Sequence, residues 1–277
     1  SHEAAGTLRP EIAEKYGLAT LGKSGLPLCN VENVVRVLDL VPGFQDMVWW
    51  DEFHGRLFSK AGVWQDKDTL ALLVRFQREL GFQRLSDEQL YKALTVAGWA
   101  RRRNEPRDWL GGLAWDKTDR IEAFFVDVFG AEDSEYTRAV SRNWWISMVA
   151  RVFDPGCQVD NMVVLEGAQG AGKSTALRMI GGRWFAEATE SVLSKDFYMA
   201  LAGKILLEVA ELDTFNRADI TRIKQIVSSR SDRYRAPYAR QTEDYPRSCV
   251  FVGTTNESAY LRDPTGARRF WPVKVTD

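Results

Sequence analysis

The chain has 277 residues, of which 45% are hydrophobic and 27% are charged, and 37 basic against 38 acidic residues give a net charge of −1. This composition excludes a disordered chain and predicts one large domain with a smaller one attached. Because the net charge is close to zero, any nucleic-acid contact has to come from a local basic patch.

The apolar runs and the cysteines indicate the compartment. The longest apolar runs, such as residues 162–165, are far shorter than the roughly 18 residues of a membrane span, so no membrane contact is expected. The three cysteines are widely spaced and match neither a disulfide framework nor a zinc site. We therefore expect a cytoplasmic protein.

The first third of the chain predicts a small domain. Residues 1–30 are rich in Gly, Pro and small polar residues, which predicts a flexible arm. Apolar spacing then predicts a helix, a two-stranded hairpin and two further helices, over residues 31–40, 47–58, 68–80 and 86–101. This order resembles a winged-helix-like module, and we assign a mainly helical domain to residues 31–110. The ten tryptophans are interpreted as core or interface residues.

The remainder, residues 111–277, predicts an α/β domain. Two amphipathic helices are expected over residues 121–129 and 136–151. Short apolar runs then alternate with helices, which is typical of a parallel sheet. The runs are residues 162–165, 205–209, 250–252 and 270–273.

One motif predicts a phosphate site. Residues 167–174 match G-x-x-x-x-G-K-[ST], and they follow an apolar run and precede a helix. The glycines allow backbone N–H groups to surround an anion at the helix N-terminus. Lys173 is expected to reach the β- and γ-phosphates and the Ser174 hydroxyl to ligate Mg²⁺. The predicted nucleotide contacts are Gly167, Ala168, Gln169, Gly170, Ala171, Gly172, Lys173, Ser174 and Thr175.

A second strand should provide a carboxylate. Residues 205–213 form an apolar run that carries Glu208 and Glu211. On a regular strand these residues face opposite sides, so one is expected to be the catalytic, metal-holding acid and the other a supporting residue. We favour Glu211 because it is nearer the strand's carboxyl end, where ligands of open α/β sheets bind.

Two later features suit phosphate chemistry. Asn256 follows an apolar strand and could orient the attacking water, although a simple turn residue is the alternative. Arg268 and Arg269 lie between a glycine turn and an aromatic strand. They could neutralise a transferring phosphoryl group, in the same chain or from a neighbouring subunit, or form surface ion pairs.

A basic segment with interleaved tyrosines is the best nucleic-acid candidate, since guanidinium groups contact phosphates and tyrosines stack on bases. A solvated basic face or subunit contacts are the alternatives. The candidate residues are Lys224, Arg233, Arg235, Tyr238, Arg240 and Arg247.

Taken together, the motifs resemble the virulence-associated protein E family, which belongs with the superfamily 3 helicases of phages and plasmids. The resemblance covers roughly residues 30–273. Its motifs are residues 30–33 (NVEN), 113–116 (LAWD), 149–156 (VARVFDPG), 165–175 (LEGAQGAGKST), 208–212 (EVAEL), 235–240 (RAPYAR), 253–256 (GTTN) and 262–272 (RDPTGARRFWP).

The resemblance implies an AAA+-like P-loop ATPase that uses ATP and Mg²⁺ and moves along DNA, expected to be single-stranded, as a hexameric ring. It implies that Lys173 and Ser174 bind nucleotide, that Glu208 or Glu211 holds metal and water, and that Asn256 senses the γ-phosphate. Arg268 or Arg269 would be an arginine finger offered to the next subunit. Lys224 and the segment 233–247 fall where such proteins carry an extra motif and a channel-lining hairpin.

The sequence thus predicts an ATP-hydrolysing DNA translocase or helicase that acts in replication of a phage or mobile element. The alternative is an initiator or loader that binds DNA without processive unwinding and uses ATP as an assembly switch. A small-molecule kinase is disfavoured because neither a lid nor an acceptor pocket is recognisable in the sequence.

Overall fold

The structure, a computed structural model, describes residues 8–22, 25–188, 195–235, 241–256 and 268–276. The chain divides into two compact units, Ser1–Glu105 (unit 1) and Pro106–Asp277 (unit 2). No helix of the described ranges is long and apolar enough to cross a membrane.

Unit 1 combines helices with a three-stranded antiparallel sheet of order β1-β2-β3. Its elements are α1 (Leu8–Lys15), α2 (Val31–Leu40), β1 (Trp49–Asp51), β2 (Arg56–Ser59), β3 (Gly62–Val63), α3 (Asp66–Leu80) and α4 (Asp87–Ala100). The predicted helix, hairpin and two helices are confirmed, while the two-residue strand β3 is an addition. Ser86 and Gln89 form the expected reciprocal capping box at the start of α4.

Part of the segment predicted as a flexible arm, residues 1–30, packs against the core of unit 1. Helix α1 buries Ala13, which is 1% exposed, and Leu18 after it is 6% exposed, and both belong to the core of unit 1. The buried Asn33 side chain holds the following loop, donating to Ala19 O at 2.7 Å and Leu28 O at 3.0 Å. The Gly and Pro residues of this segment predict turns, and contacts with distant residues hold those turns in place.

Unit 2 has a five-stranded, fully parallel sheet of order β10-β4-β9-β6-β5 and a separate antiparallel hairpin, β7–β8. The mixed α/β class with a parallel sheet is confirmed. Its elements are α5 (Glu105–Gly111, beginning at the last residue of unit 1), α6 (Phe124–Phe129), α7 (Glu135–Phe153), β4 (Met162–Glu166), α8 (Lys173–Gly181), β5 (Phe185–Glu187), α9 (Lys195–Ala200), β6 (Leu206–Val209), α10 (Arg217–Val227), β7 (Ser231–Tyr234), β8 (Glu243–Pro246), β9 (Val250–Thr255) and β10 (Phe270–Lys274).

The central strands are buried on both faces, as their apolar sequences require. Successive side chains of β4 alternate between two clusters: Met162 and Val164 pack on one face of the sheet, and Val163 and Leu165 pack on the other. Gly253 of β9 leaves no room for a side chain, since a Cβ there would collide with Leu212 and lie 3.2 Å from Met162 Cε.

The parallel register places the ends of three strands at one edge. Glu166 at the end of β4 pairs with Thr255 at the end of β9, and Val209 at the end of β6 pairs with Gly253. The carboxyl ends of β4, β6 and β9 therefore lie together at one end of the sheet, where α/β sheets bind ligands.

Candidate functional site

The loop between β4 and α8 has the backbone that its glycines permit. Gly170 and Gly172 have φ of 89° and 73°, in the left-handed region that favours glycine. Gly167 is required by a close approach, because a Cβ there would lie 2.9 Å from Val275 O. Helix α8 then begins at Lys173 with no side-chain cap, so its first N–H groups face the loop.

Lys173 lies inside this loop. Its side chain is buried, and Nζ donates hydrogen bonds to Gly167 O at 2.6 Å and Ala168 O at 2.8 Å. The loop therefore concentrates positive charge from the ammonium group and from the N-terminus of α8.

Ser174, Glu208 and Thr254 form a hydrogen-bonded cluster beneath the loop. Glu208 is fully buried, and its Oε1 accepts from Ser174 Oγ at 2.6 Å and from Thr254 Oγ1 at 2.8 Å. Glu208 Oε2 is buried without a hydrogen-bond partner among the described residues. The arrangement joins the loop, β6 and β9 through one carboxylate.

Glu211 reaches the same region by a different route. Strand β6 ends at Val209, so the alternation expected of a regular strand does not extend to Glu211. With φ 55° and ψ 46°, Glu211 begins a short 3₁₀ helix, Leu212–Thr214. Both carboxylates thus approach the loop: Glu208 is bonded to Ser174, while Glu211 lines the cavity described below.

Asp213 organises the end of β9, a role that sequence reasoning missed. Its Oδ1 accepts from Thr255 Oγ1 at 2.8 Å and from the Asn256 backbone N–H at 3.4 Å. Desolvation acts to raise the pKa of Asp213, but these hydrogen bonds and the charge of Lys173 together hold it below its ordinary value. The available signal was the position of Asp213 two residues after Glu211.

These groups surround one polar cavity of about 310 Å³. Every predicted nucleotide contact from Gln169 to Thr175 lines it, and Asn256 and Glu211 line it as well. Its other lining residues are Glu187, Ala210, Thr254 and Thr255. The structure therefore brings together the loop, the acid segment and Asn256, all from unit 2.

Arg268 and Arg269 lie at the other edge of the sheet. They precede β10, whose first residue pairs with Met162 at the start of β4. A strand rise of about 3.3 Å per residue separates them from the loop by roughly 15–20 Å. Arg268 is exposed, and Arg269 Nε donates to Ser228 Oγ at 2.9 Å. Neither arginine lines the cavity of its own chain.

The prediction that Arg247 contacts nucleic acid is wrong. It is 2% exposed, and its guanidinium group is paired with the buried Asp232, with Nε donating to Oδ2 at 3.0 Å. Its other nitrogens donate to Asp232 Oδ1 and Ile226 O, and it lies over the Phe251 ring. A side chain enclosed in this way anchors the base of the hairpin and is inaccessible to DNA.

The other predicted nucleic-acid residues have different surroundings. Arg233 on β7 is exposed and faces Asp244 on β8 at 3.6 Å, and Arg235 after β7 is also exposed. Lys224 lies partly buried on α10. Tyr238 and Arg240 fall outside the described residues. A hairpin does lie in the basic segment, with Tyr234 and Tyr245 stacked across it at 4.3 Å.

Within the described ranges, no group of three or more His, Cys, Asp or Glu side chains could hold a metal ion.

Fold and site together define an α/β domain with a parallel five-stranded sheet and a phosphate-loop sequence at its carboxyl edge. Residues 110–277 match the model of the virulence-associated protein E-like domain. The chain belongs to this family, as the sequence motifs predicted.

Comparisons with individual proteins give weaker likenesses. Two apo structures of the NrS-1 C-terminal region (residues 305–718) are each 15% identical to this chain, with TM-scores of 0.40 and 0.41. Each match covers 59% of this chain and 39% of the NrS-1 chain, so this chain corresponds to less than half of that region. No curated protein matches the chain in a sequence search.

Proposed function

We propose that unit 2 is an ATP-hydrolysing core of a DNA translocase or helicase that acts in replication of a phage or mobile element. The carrying observation is the hydrogen bond of 2.6 Å from Ser174 Oγ to Glu208 Oε1. It joins the last residue of the phosphate-loop motif to the acid of β6, and this pairing suits a P-loop ATPase of the AAA+-like kind.

The residues beneath the loop fit Mg²⁺. This cation prefers oxygen ligands, and Ser174 Oγ and the Glu208 carboxylate offer them side by side. Glu208 Oε2 is buried without a hydrogen-bond partner among the described residues, which is costly for a carboxylate unless a cation satisfies it. Ser174 and Glu208 would hold the metal, which would supply charge neutralisation on the phosphates.

The remaining cavity residues divide the work on ATP. Lys173 would exchange its loop carbonyls for phosphate oxygens, and the N–H groups at the start of α8 would bind the same oxygens. Glu211, exposed at the cavity, is the group available to accept a proton from the attacking water. Asn256, held by Asp213, would contact the γ-phosphate.

The position of Arg268 and Arg269 supports assembly. Because they precede β10 at the end of the sheet away from the cavity, these two arginines would contact a γ-phosphate bound to a neighbouring copy, as in a hexameric ring. The exposed Arg233 and Arg235 on the hairpin β7–β8 are the groups we propose to contact DNA.

Steady-state ATP hydrolysis by the chain, over a protein dilution series and with or without single-stranded DNA, tests the proposal. We expect activity that rises more than linearly with protein concentration, increases with DNA and is lost in Lys173→Ala. Lys204→Ala is the matched control, because Lys204 precedes β6 at the opposite edge. Slow ATP hydrolysis that DNA does not stimulate would favour the alternative, an initiator or loader that uses ATP as an assembly switch. Hydrolysis by Lys173→Ala at the rate of the parent would refute an ATPase at this cavity.

A further inference from the structure

The small sheet of unit 1 has one face in the core and one face turned outward. On the inner face, Leu57 is 3% exposed and Trp50 packs against the core. Helix α4 lies so close that a Cβ at Gly98 would collide with Leu57. Because side chains alternate along strands, Trp49 and its cross-strand partner Phe58 occupy the outer face.

Three rings form a row across this outer face. The Trp49 and Phe58 ring centroids are 6.4 Å apart, and those of Phe58 and His54 are 4.8 Å apart. Trp49, Phe58 and His54 are half-buried, and Val63, which pairs with Phe58, is 39% exposed. We call Trp49, Phe58 and His54 the outer aromatic row.

Three cationic residues belong to the segments that carry or adjoin this row. The Arg103 guanidinium lies over the Trp49 ring at 4.3 Å, and the Arg103 residue is exposed. Arg56 lies on the same face of β2 as Phe58, and Lys60 lies in the turn between β2 and β3; both are exposed.

Two acidic residues, Asp51 and Glu52, lie in the same segment as His54. Asp51 is buried, and its Oδ1 accepts from the His54 backbone N–H and faces His54 Nδ1, both at 2.7 Å. Glu52 lies 3.7 Å from Arg102, a further cation beyond the row. Arg103, Arg56 and Lys60 are thus three exposed cations in a chain whose net charge is −1.

We infer that the outer aromatic row, with Arg103, Arg56 and Lys60, is a binding site for single-stranded nucleic acid. Half-exposed rings beside guanidinium groups on a sheet are the combination that stacks bases and holds phosphates. In a duplex the faces of the bases are covered by the neighbouring stacked base pairs, so the row selects single strands. The site consists of residues of unit 1 alone, shares none with the hairpin β7–β8, and needs no nucleotide.

The test is anisotropy titration of a fluorescein-labelled 20-residue oligothymidylate with the full chain, without nucleotide. The titration is repeated on Lys173→Ala, which lacks the proposed ATPase activity. Binding by this variant would therefore be measured independently of the ATPase proposal. Trp49→Leu/Phe58→Leu keeps apolar volume on the sheet but removes the rings, and we expect its Kd to rise about tenfold or more. Arg103→Gln tests the stacked cation, with an expected rise of about three- to tenfold.

Two matched controls separate stacking from general effects. Trp115→Leu removes a tryptophan that is 70% exposed in unit 2, and Arg84→Gln removes an exposed arginine elsewhere in unit 1. Both should leave Kd within about twofold. Arg56→Gln should reduce the slope of log Kd against log salt by about 0.7, the value for one phosphate contact on a single strand.

Two readouts keep the inference falsifiable if a variant folds poorly. Urea unfolding checks the ring variant, and Arg103→Gln changes only an exposed side chain. Photocrosslinking of a 5-iodouracil oligonucleotide to the parent chain, mapped by mass spectrometry, should modify Trp49 or Phe58. Three outcomes would each overturn the inference. The first is an unchanged Kd in both the folded ring variant and Arg103→Gln, and the second is a loss of binding only in Arg233→Ala/Arg235→Ala. The third is equal affinity for a duplex and for the single strand.

Discussion

Glu208 on β6 accepts a hydrogen bond from Ser174 Oγ at 2.6 Å, although Ser174 lies on the helix that follows β4 and β9 separates β4 from β6 in the sheet. Thr254 of β9 lies between them and donates to the same oxygen at 2.8 Å. A buried carboxylate held by two hydroxyl donors is fixed in orientation, which is what pre-organisation of a cation site requires.

Glu208→Gln should lower the rate of ATP hydrolysis by about 100-fold or more, because the amide keeps the shape of the side chain but loses the negative charge beside Ser174 that the proposed metal ion needs. KM for ATP should change little, since Lys173 and the loop still bind the phosphates. The Mg²⁺ concentration for half-maximal activity should rise. Hydrolysis assays over a Mg²⁺ titration measure both effects.

Glu211→Gln is the matched control for the two acid roles. It should also lower the rate, but leave the Mg²⁺ midpoint within about twofold, because Glu211 lines the cavity without a described bond to Ser174. A raised Mg²⁺ midpoint in Glu211→Gln with a normal one in Glu208→Gln would reverse the assignment.

Arg247→Ala should destabilise unit 2 by about 3–5 kcal/mol, because it leaves the Asp232 carboxylate buried without its cation. Urea unfolding followed by circular dichroism measures the change. Replacing both partners, as Arg247→Met/Asp232→Leu, should recover most of the loss, since it leaves no buried charge unpaired.

Arg233→Ala is the comparison for an exposed pair on the same hairpin. Its ion pair with Asp244 is 3.6 Å long and both side chains are more than half exposed, so a loss of at most about 1 kcal/mol is expected. Equal losses in Arg233→Ala and Arg247→Ala would contradict the structural role of Arg247.

The sequence predicted the elements whose pattern is local. The phosphate-loop motif, the buried runs and the Ser86 capping box each depend on neighbours within a few residues, and the structure has all of them. The parallel class of the sheet also followed, because apolar runs that alternate with helices leave few other arrangements.

Long-range contacts decided what the sequence could not predict. Arg247 reads as one more basic residue in a basic segment, and only the pairing of β7 with β8 and the position of Asp232 bury it. Residues 8–22 lack a strong apolar period, yet the core of unit 1 orders them. The end of β6 at Val209 similarly decides where Glu211 points, and no local signal marks that end.

Cys249 should resist alkylation in the folded protein. It is 1% exposed, and burial raises its pKa to about 11, against the opposing effect of the Arg247 charge. Iodoacetamide at pH 8 should therefore modify the half-buried Cys29 and Cys157 but not Cys249 until urea unfolds the chain. Mass spectrometry of peptides reads the result, and rapid native labelling of Cys249 would contradict it.

The raised pKa of Cys249 predicts that the free energy of unfolding depends on pH. The thiol of the unfolded chain loses its proton near pH 8.5, whereas the folded one keeps it to about pH 11. Between these values the folded state binds more protons, so the free energy of unfolding falls as pH rises. Cys249→Ala should show a shallower fall than the parent from pH 8.5 to 11, and identical slopes would contradict the prediction.

Asp213 and Thr255 should be energetically coupled, because the Thr255 hydroxyl donates to Asp213 Oδ1 at 2.8 Å in a partly buried setting. A double-mutant cycle with Asp213→Ala, Thr255→Val and the double variant, measured by urea unfolding, should give about 1 kcal/mol of interaction. Asp213→Ala should also slow ATP hydrolysis more than it weakens ATP binding, since the carboxylate positions the Asn256 backbone.

The control cycle pairs Asp213→Ala with Thr254→Val, because the Thr254 hydroxyl donates to Glu208 and not to Asp213. Additive losses in the first cycle, or equal coupling in both, would show that Asp213 does not hold the end of β9.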